Sequence, residues 1–188
     1  DVYKRQINGH YIPQCGMAIR GSKRMISLRE YFRDLTDLIT EVETITKLEE
    51  FGELLISARK DGRRLLLFGN GAAASICSHA ALDFTKQGGL ESLCFHDPAL
   101  ITAFANDFSY EEALVEFLKI NRANKDDLVI TISSSGNSPN ILNALKYCKK
   151  MKIKTLSLSG LKKNKSIDNS NYSIYVPMRT YGIVECVH

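Results

Sequence analysis

The chain has no tryptophan, four prolines and four histidines among its 188 residues. Without tryptophan, and without a visible aromatic clamp, a flavin site has little to hold the ring. The five cysteines, Cys15, Cys77, Cys94, Cys148 and Cys186, are odd in number and never form a CxxC pair. A zinc ribbon and a disulfide scaffold are therefore excluded; several cysteines read as small apolar residues, which fits a reducing cytoplasm. No apolar stretch approaches the roughly 20 residues of a membrane helix, so a soluble protein with no membrane partner is expected. Neither sign of charge dominates, with 25 Lys and Arg against 21 Asp and Glu. The densest basic run, Lys146, Lys149, Lys150, Lys152 and Lys154, continuing to Lys162, Lys163 and Lys165, surrounds a predicted helix end and the next strand. It reads as a solvated face, and with only Tyr147 interleaved it does not predict nucleic-acid binding.

What is present is globular, with 44% apolar and 24% charged residues, enough for one domain with a real core. Residues 1–24 start without methionine and show no helical or strand period, so they read as a leader, non-native or disordered. Two amphipathic helices follow, at about Leu28–Thr40 and Lys47–Ala58, the second with a capping-box start at Thr46–Glu49. Strands are expected at Arg64–Phe68, Ser92–Phe95, Leu128–Ile132, Lys154–Leu158 and Ser173–Val176. Helices are expected between them, at Ala72–Lys86, Pro98–Ala105, Tyr110–Asn121 and Pro139–Met151. Short apolar runs alternating with helix-length segments imply βαβ units around a buried parallel sheet. The last residues, from Ile183 to His188, read as a helix without cap or breaker, so a single domain over 25–188, cut short there, is expected.

Two loops carry the chemistry. Leu65-Leu66-Leu67-Phe68 runs into Gly69-Asn70-Gly71-Ala72, and Leu128-Val129-Ile130-Thr131-Ile132 runs into Ser133-Ser134-Ser135-Gly136-Asn137-Ser138-Pro139. In each, a strand ends in small residues where a helix begins, so free N–H groups converge where a phosphate could sit. The first loop is weak alone, because glycines also serve simply to turn the chain; it lacks the third glycine of GxGxxG and any following GKS or GKT. The second is more specific. Its four serines within six residues are poor core formers and too many for one helix cap, so they predict a neutral phosphate cradle.

In order and spacing, Phe68-Gly69-Asn70-Gly71, Leu100 to Asp107, and Ile132-Ser133-Ser134-Ser135-Gly136-Asn137-Ser138-Pro139-Asn140 resemble the sugar isomerase (SIS) domain of the phosphoheptose isomerase group. The resemblance covers about Met25 to His188. It implies an α/β fold, a three-layer αβα sandwich with a five-stranded parallel sheet of flavodoxin-like order. It also implies a homodimer or homotetramer assembled through the N-terminal helices, and substrate contacts at Asn70, Gly71, Ala72, Asn106, Asp107, Ser133, Ser134, Ser135 and Ser138. The family's catalytic or zinc-binding histidine and glutamate correspond to His79 and Asp83, so zinc is the metal the resemblance would bring. Three positions depart from the family: Ala73 replaces a common serine, Val184 replaces a glutamine, and the last catalytic histidine would fall beyond His188.

Aldose–ketose isomerisation moves a proton between neighbouring carbons through an enediol, which needs a base and a group that manages charge on the oxygens. Spacing of four places His79 and Asp83 on one helix face; an ordinary helix histidine beside an exposed acid is the alternative. His96, next to Asp97 after the second strand, reads as incidental. The expected activity is isomerisation of a sugar phosphate such as sedoheptulose 7-phosphate. The alternative is a non-catalytic domain that senses a phosphosugar or binds a protein partner.

Overall fold

The computed structural model describes residues 27–40, 42–160, 164–177 and 181–188. The expected leader, together with Lys162 and Lys163, lies outside the described residues. Helices α1 (Leu28–Ile39) and α2 (Val42–Lys60) lead into β1 (Leu65–Gly69), α3 (Ala72–Lys86), β2 (Ser92–Cys94), α4 (Pro98–Asp107) and α5 (Ala113–Ile120). Then follow β3 (Leu128–Ser133), α6 (Pro139–Met151), β4 (Lys154–Gly160), α7 (Ser166–Asn169), β5 (Tyr172–Val176) and α8 (Tyr181–Val187). The five strands form one sheet in the order β2-β1-β3-β4-β5 with every pairing parallel. This is the expected architecture.

Alternation along the strands divides the core in two. Leu66, Phe68 and Val129 face α5 and α6 and pack with Phe117, Leu118, Ile141 and Leu145. Leu65, Leu67, Leu128, Ile130 and Ile132 face the other way, toward Phe51 of α2 and Cys77 and Ala81 of α3. Every residue of β1 and β3 is buried, as a central parallel strand covered on both faces requires. No described helix is long and apolar enough to cross a membrane.

The largest departures from the expected boundaries are at helix starts. The capping box belongs to α1, where Ser27 accepts from the Glu30 N–H and Glu30 from the Ser27 N–H. Thr46 lies inside α2, which starts at Val42, because the helical stretch runs one turn further upstream and a polar residue on an exposed helix face is no cap. Helix α5 starts at Ala113, not Tyr110, because Ser109 at φ 141° breaks the helical path. The lysines Lys146, Lys149, Lys150, Lys152 and Lys154 are exposed around the end of α6, the solvated face that was expected.

Candidate functional site

Strands β1 and β3 pair in register from Leu65↔Leu128 to Gly69↔Ile132, so both loops leave the same sheet edge side by side. In this strand order the chain runs outward in opposite directions from β1 and β3, and ligands bind in the crevice so formed. Gly69 is fixed by packing: a Cβ there would lie 2.6 Å from the Ala73 backbone, so only glycine lets α3 start this close to the strand.

The serine loop is built as a cradle. Ser133 and Ser134 are buried, the Ser133 and Ser138 hydroxyls are 3.3 Å apart, and Ser135 Oγ accepts from the Asn137 N–H at 3.2 Å. Ser138 opens α6 without a side-chain capping bond, which leaves first-turn N–H groups pointing at the loop. The segment after β4 holds the cradle from behind. Ser166 donates twice to the Gly136 carbonyl, from its N–H at 3.0 Å and its hydroxyl at 2.9 Å, and the Lys165 N–H donates to Asn137 Oδ1 at 3.2 Å. Asn164 donates to Ser159 Oγ and lies directly over Gly136.

An amide pair joins the two loops. Asn70 Nδ2 donates to Asn140 Oδ1 at 3.0 Å, and Asn140 Nδ2 returns a bond to Asn70 Oδ1 at 2.8 Å. The Tyr110 hydroxyl also donates to Asn70 Oδ1, at 2.9 Å, tying in the segment after α4. Asn106 and Asp107 end α4, exposed, with Asn106 Nδ2 2.9 Å from Asp107 Oδ1. Sequence reading missed Asn140, Tyr110, Asn164 and Ser166. Asn140 closes the quoted serine motif and was the one within reach.

From Gly71 an open cleft of about 640 Å³ runs along α3, lined by Gly71, Ala74, Ser75, Ser78, His79 and Leu82, with His96 and Ile101 on the opposite wall. The α3 residues recur every three or four positions, so they form one helical stripe. His79 Nε2 lies 3.2 Å from Asp83 Oδ2, and Asp83 Oδ1 accepts from Gln87 Nε2 at 3.0 Å. His96, read from the sequence as incidental, faces the same cleft as His79. Its Nδ1 is 3.3 Å from the Cys94 carbonyl; the tautomer that donates there leaves Nε2 as the basic nitrogen. Gly71 and His79 are the two expected site residues that line this cleft, and Ala72 is exposed at the start of α3.

Zinc takes three or four protein ligands. Among the described residues no group of three His, Cys, Asp or Glu side chains is placed to hold a metal. The pair His79 and Asp83 is an incomplete donor set, and no step is routed through a metal. Val184 is fully buried against the position of Gly160 and offers no polar group to the cleft. The ring nitrogens of His188 are sealed from solvent without a hydrogen-bond partner. Burial pushes that imidazole down to about 4, and the nearby Ser159 backbone offsets part of the effect without completing a bond.

These loops and this sheet order have counterparts in known proteins. A phosphoheptose isomerase of Thermodesulfovibrio yellowstonii is 33% identical over 152 residues, covering 78% of this chain and 75% of that protein. One from Aliarcobacter butzleri is 30% identical over 171 residues, covering 86% and 88%. The solved structure of a phosphoheptose isomerase from Neisseria gonorrhoeae shares the fold with a TM-score of 0.71 at 22% identity, covering 84% of this chain and 85% of that one. The SIS domain pattern matches residues 30–160, a stretch that holds both loops and the α3 cleft, and the chain belongs to the SIS domain family.

Proposed function

We propose that the protein is a phosphosugar isomerase acting on a ketose or aldose phosphate of the heptose class, such as sedoheptulose 7-phosphate, as the names of its relatives suggest. One observation carries the reading: the cleft starts beside the cradle loops and continues along α3 to His79. At 1.5 Å per residue His79 and Asp83 lie about 12 and 18 Å along the helix from Gly71. An extended sugar phosphate anchored at the loops therefore brings its far carbons, not its phosphate, toward this pair. Asp83 takes the proton from the carbon next to the carbonyl and returns it to the neighbouring carbon. His79, whose Nε2 is 3.2 Å from Asp83 Oδ2, exchanges a proton with the enediol oxygens. Ser133, Ser134, Ser135 and Ser138 hold the phosphate with Gly71 and Ala72, while Asn70, Asn106 and Asp107 orient hydroxyls. Residues 25–188 act in this reading as one domain, in the cytoplasm, in keeping with the free thiols of Cys77, Cys94, Cys148 and Cys186.

The test is Asp83→Asn. Removing a base raises the transition state more than the bound ground state, so turnover is lost while sugar phosphates still raise the melting temperature and unphosphorylated sugars do not. A wild-type protein that binds sugar phosphates but exchanges no C1 or C2 proton with deuterated water would leave the sensing or partner-binding reading in its place.

A homodimer or homotetramer belongs to the same proposal. Helix α1 buries no residue, and Leu28, Phe32, Ile39, Ile45, Leu48 and Ile56 of α1 and α2 are all at least 42% exposed. A face of this kind is covered by another copy far more often than it is left in water. Light scattering at tens of micromolar (~20–50 µM, where a stable dimer persists) should give at least twice the monomer mass. A monomer overturns the assembly.

A further inference from the structure

The Tyr110 hydroxyl ends on an amide that already has a partner. Asn140, in the first turn of α6, is 3% exposed, and its side chain exchanges two hydrogen bonds with Asn70, at 3.0 Å and 2.8 Å. Tyr110 donates to the same Asn70 oxygen at 2.9 Å. A carboxamide has two lone pairs on its oxygen and two hydrogens on its nitrogen. Both lone pairs of Asn70 Oδ1 are therefore taken, by Asn140 and Tyr110, whereas Nδ2 spends one hydrogen, on Asn140. What the half-buried Asn70 has left to offer is a single N–H.

Two further features hold Tyr110 in place. Ser109 has φ 141°, a region that residues other than glycine rarely enter, and such outliers persist only where the surrounding structure over-determines them. Asn143, one turn after Asn140 on α6, donates from Nδ2 to the Glu111 carbonyl at 3.3 Å and to Glu112 Oε1 at 2.8 Å. One face of α6 thus grips the first loop through Asn140 and the Tyr110 segment through Asn143. The Tyr110 ring is 46% exposed and belongs to neither core cluster, so its hydroxyl, not its packing, is the specific contact.

We propose that Tyr110 is a positioning residue for the substrate: it closes the acceptor side of Asn70, so that this side chain meets the sugar as a hydrogen-bond donor alone. The proposal rests on the reading of Asn70 as a substrate contact. An amide with a free oxygen takes a hydroxyl hydrogen as readily as its nitrogen gives one, and so holds a polyol in more than one way. With the oxygen closed, the substrate has to bring a lone pair to Nδ2. Asn140 alone does not fix this direction, because a reciprocal amide pair keeps both its bonds when both amides turn over. Tyr110 decides it, since a phenol donates more strongly than it accepts. The sugar is then held in one polarity.

The experiment measures binding of two probes, sedoheptulose 7-phosphate and inorganic phosphate, by titration calorimetry on the full chain, on Tyr110→Phe, on Asn70→Ala and on the double variant. The side-chain amide signals of Asn70 and Asn140 are followed by NMR in the free proteins. Tyr110→Phe keeps the ring and loses only the hydroxyl. It should bind sedoheptulose 7-phosphate about fivefold more weakly, the scale of one hydrogen bond, with inorganic phosphate unchanged. In Asn70→Ala the same change should have no further effect, because it acts only through that amide. Unchanged binding of the sugar phosphate, an equal loss for both probes, or a loss that persists in the Asn70→Ala background overturns the proposal. The comparison of the two probes in Tyr110→Phe stands without the Asn70 variants. A wild type that binds neither probe ends the phosphosugar reading instead, and the spectra then decide the amide lock: Asn70 and Asn140 signals that Tyr110→Phe leaves in place overturn it.

Discussion

At the residue scale, the serine loop shows what a single backbone position can decide. Gly136 has φ +61°, and a Cβ there would lie 1.8 Å from Asn164 Oδ1. Gly136→Ala therefore strains the backbone and displaces the side chain that backs the cradle. A loss of about 1–3 kcal/mol in stability is expected, with a weaker melting shift from sugar phosphate; an unchanged denaturant midpoint would show that the loop absorbs the methyl freely. The serines were legible because four small polar residues straight after an apolar strand serve no packing purpose. Asn164 and Ser166 were not legible. They reach Gly136 across almost 30 residues of sequence, through backbone geometry that leaves no local pattern. The place of His96 was not legible for a related reason: a lone loop histidine carries no sign of the helix wall it will face, and only the pairing of β2 beside β1 brings it opposite His79.

At the scale of elements, strand and helix identities followed from periodicity, whereas several ends did not. A capping box needs its N-cap residue to leave helical geometry, and Ser27 does so while Thr46 does not; spacing alone cannot tell the two apart. The sheet is also locked at the edge opposite the loops. Arg64 reaches Asp127 with Nε at 3.0 Å and a terminal nitrogen at 2.9 Å, and the same terminal nitrogen donates to the Asn121 carbonyl at 3.1 Å. Asp127 is 3% exposed and also accepts from the Asn124 N–H at 2.9 Å. Asp127→Ala strands a largely covered guanidinium and should cost about 3 kcal/mol by chemical denaturation, whereas replacing both partners with apolar residues should recover most of that. A double variant as unstable as the single one would mean that the fold depends on the charges themselves.

At the scale of the whole molecule, the buried His188 ring makes stability depend on pH. Its folded value, about 4, lies below the roughly 6.5 of an unfolded histidine. Between these values the unfolded chain takes up a proton that the folded chain refuses. Stability is therefore unaffected above the unfolded value, falls as pH drops through the window, and levels off below the folded value. The loss is about 2 kcal/mol once local release of α8 is allowed for. Melting curves from pH 7 to pH 4 should show it, and His188→Leu should remove that component; an identical pH dependence in the variant would assign the loss elsewhere.

The reciprocal amide pair between Asn70 and Asn140 bears on how fast a ligand is captured. Two anchoring loops that moved independently would each have to be ordered as the ligand arrived, and that cost would appear as a slow step after first contact. Here the loops are already joined to one another and, through Tyr110, to the segment behind α4. In the proposed function, a phosphate entering between these loops meets a surface whose parts cannot be approached one at a time. Capture within one chain then becomes a single event, with an observed rate that rises linearly with ligand concentration instead of levelling off.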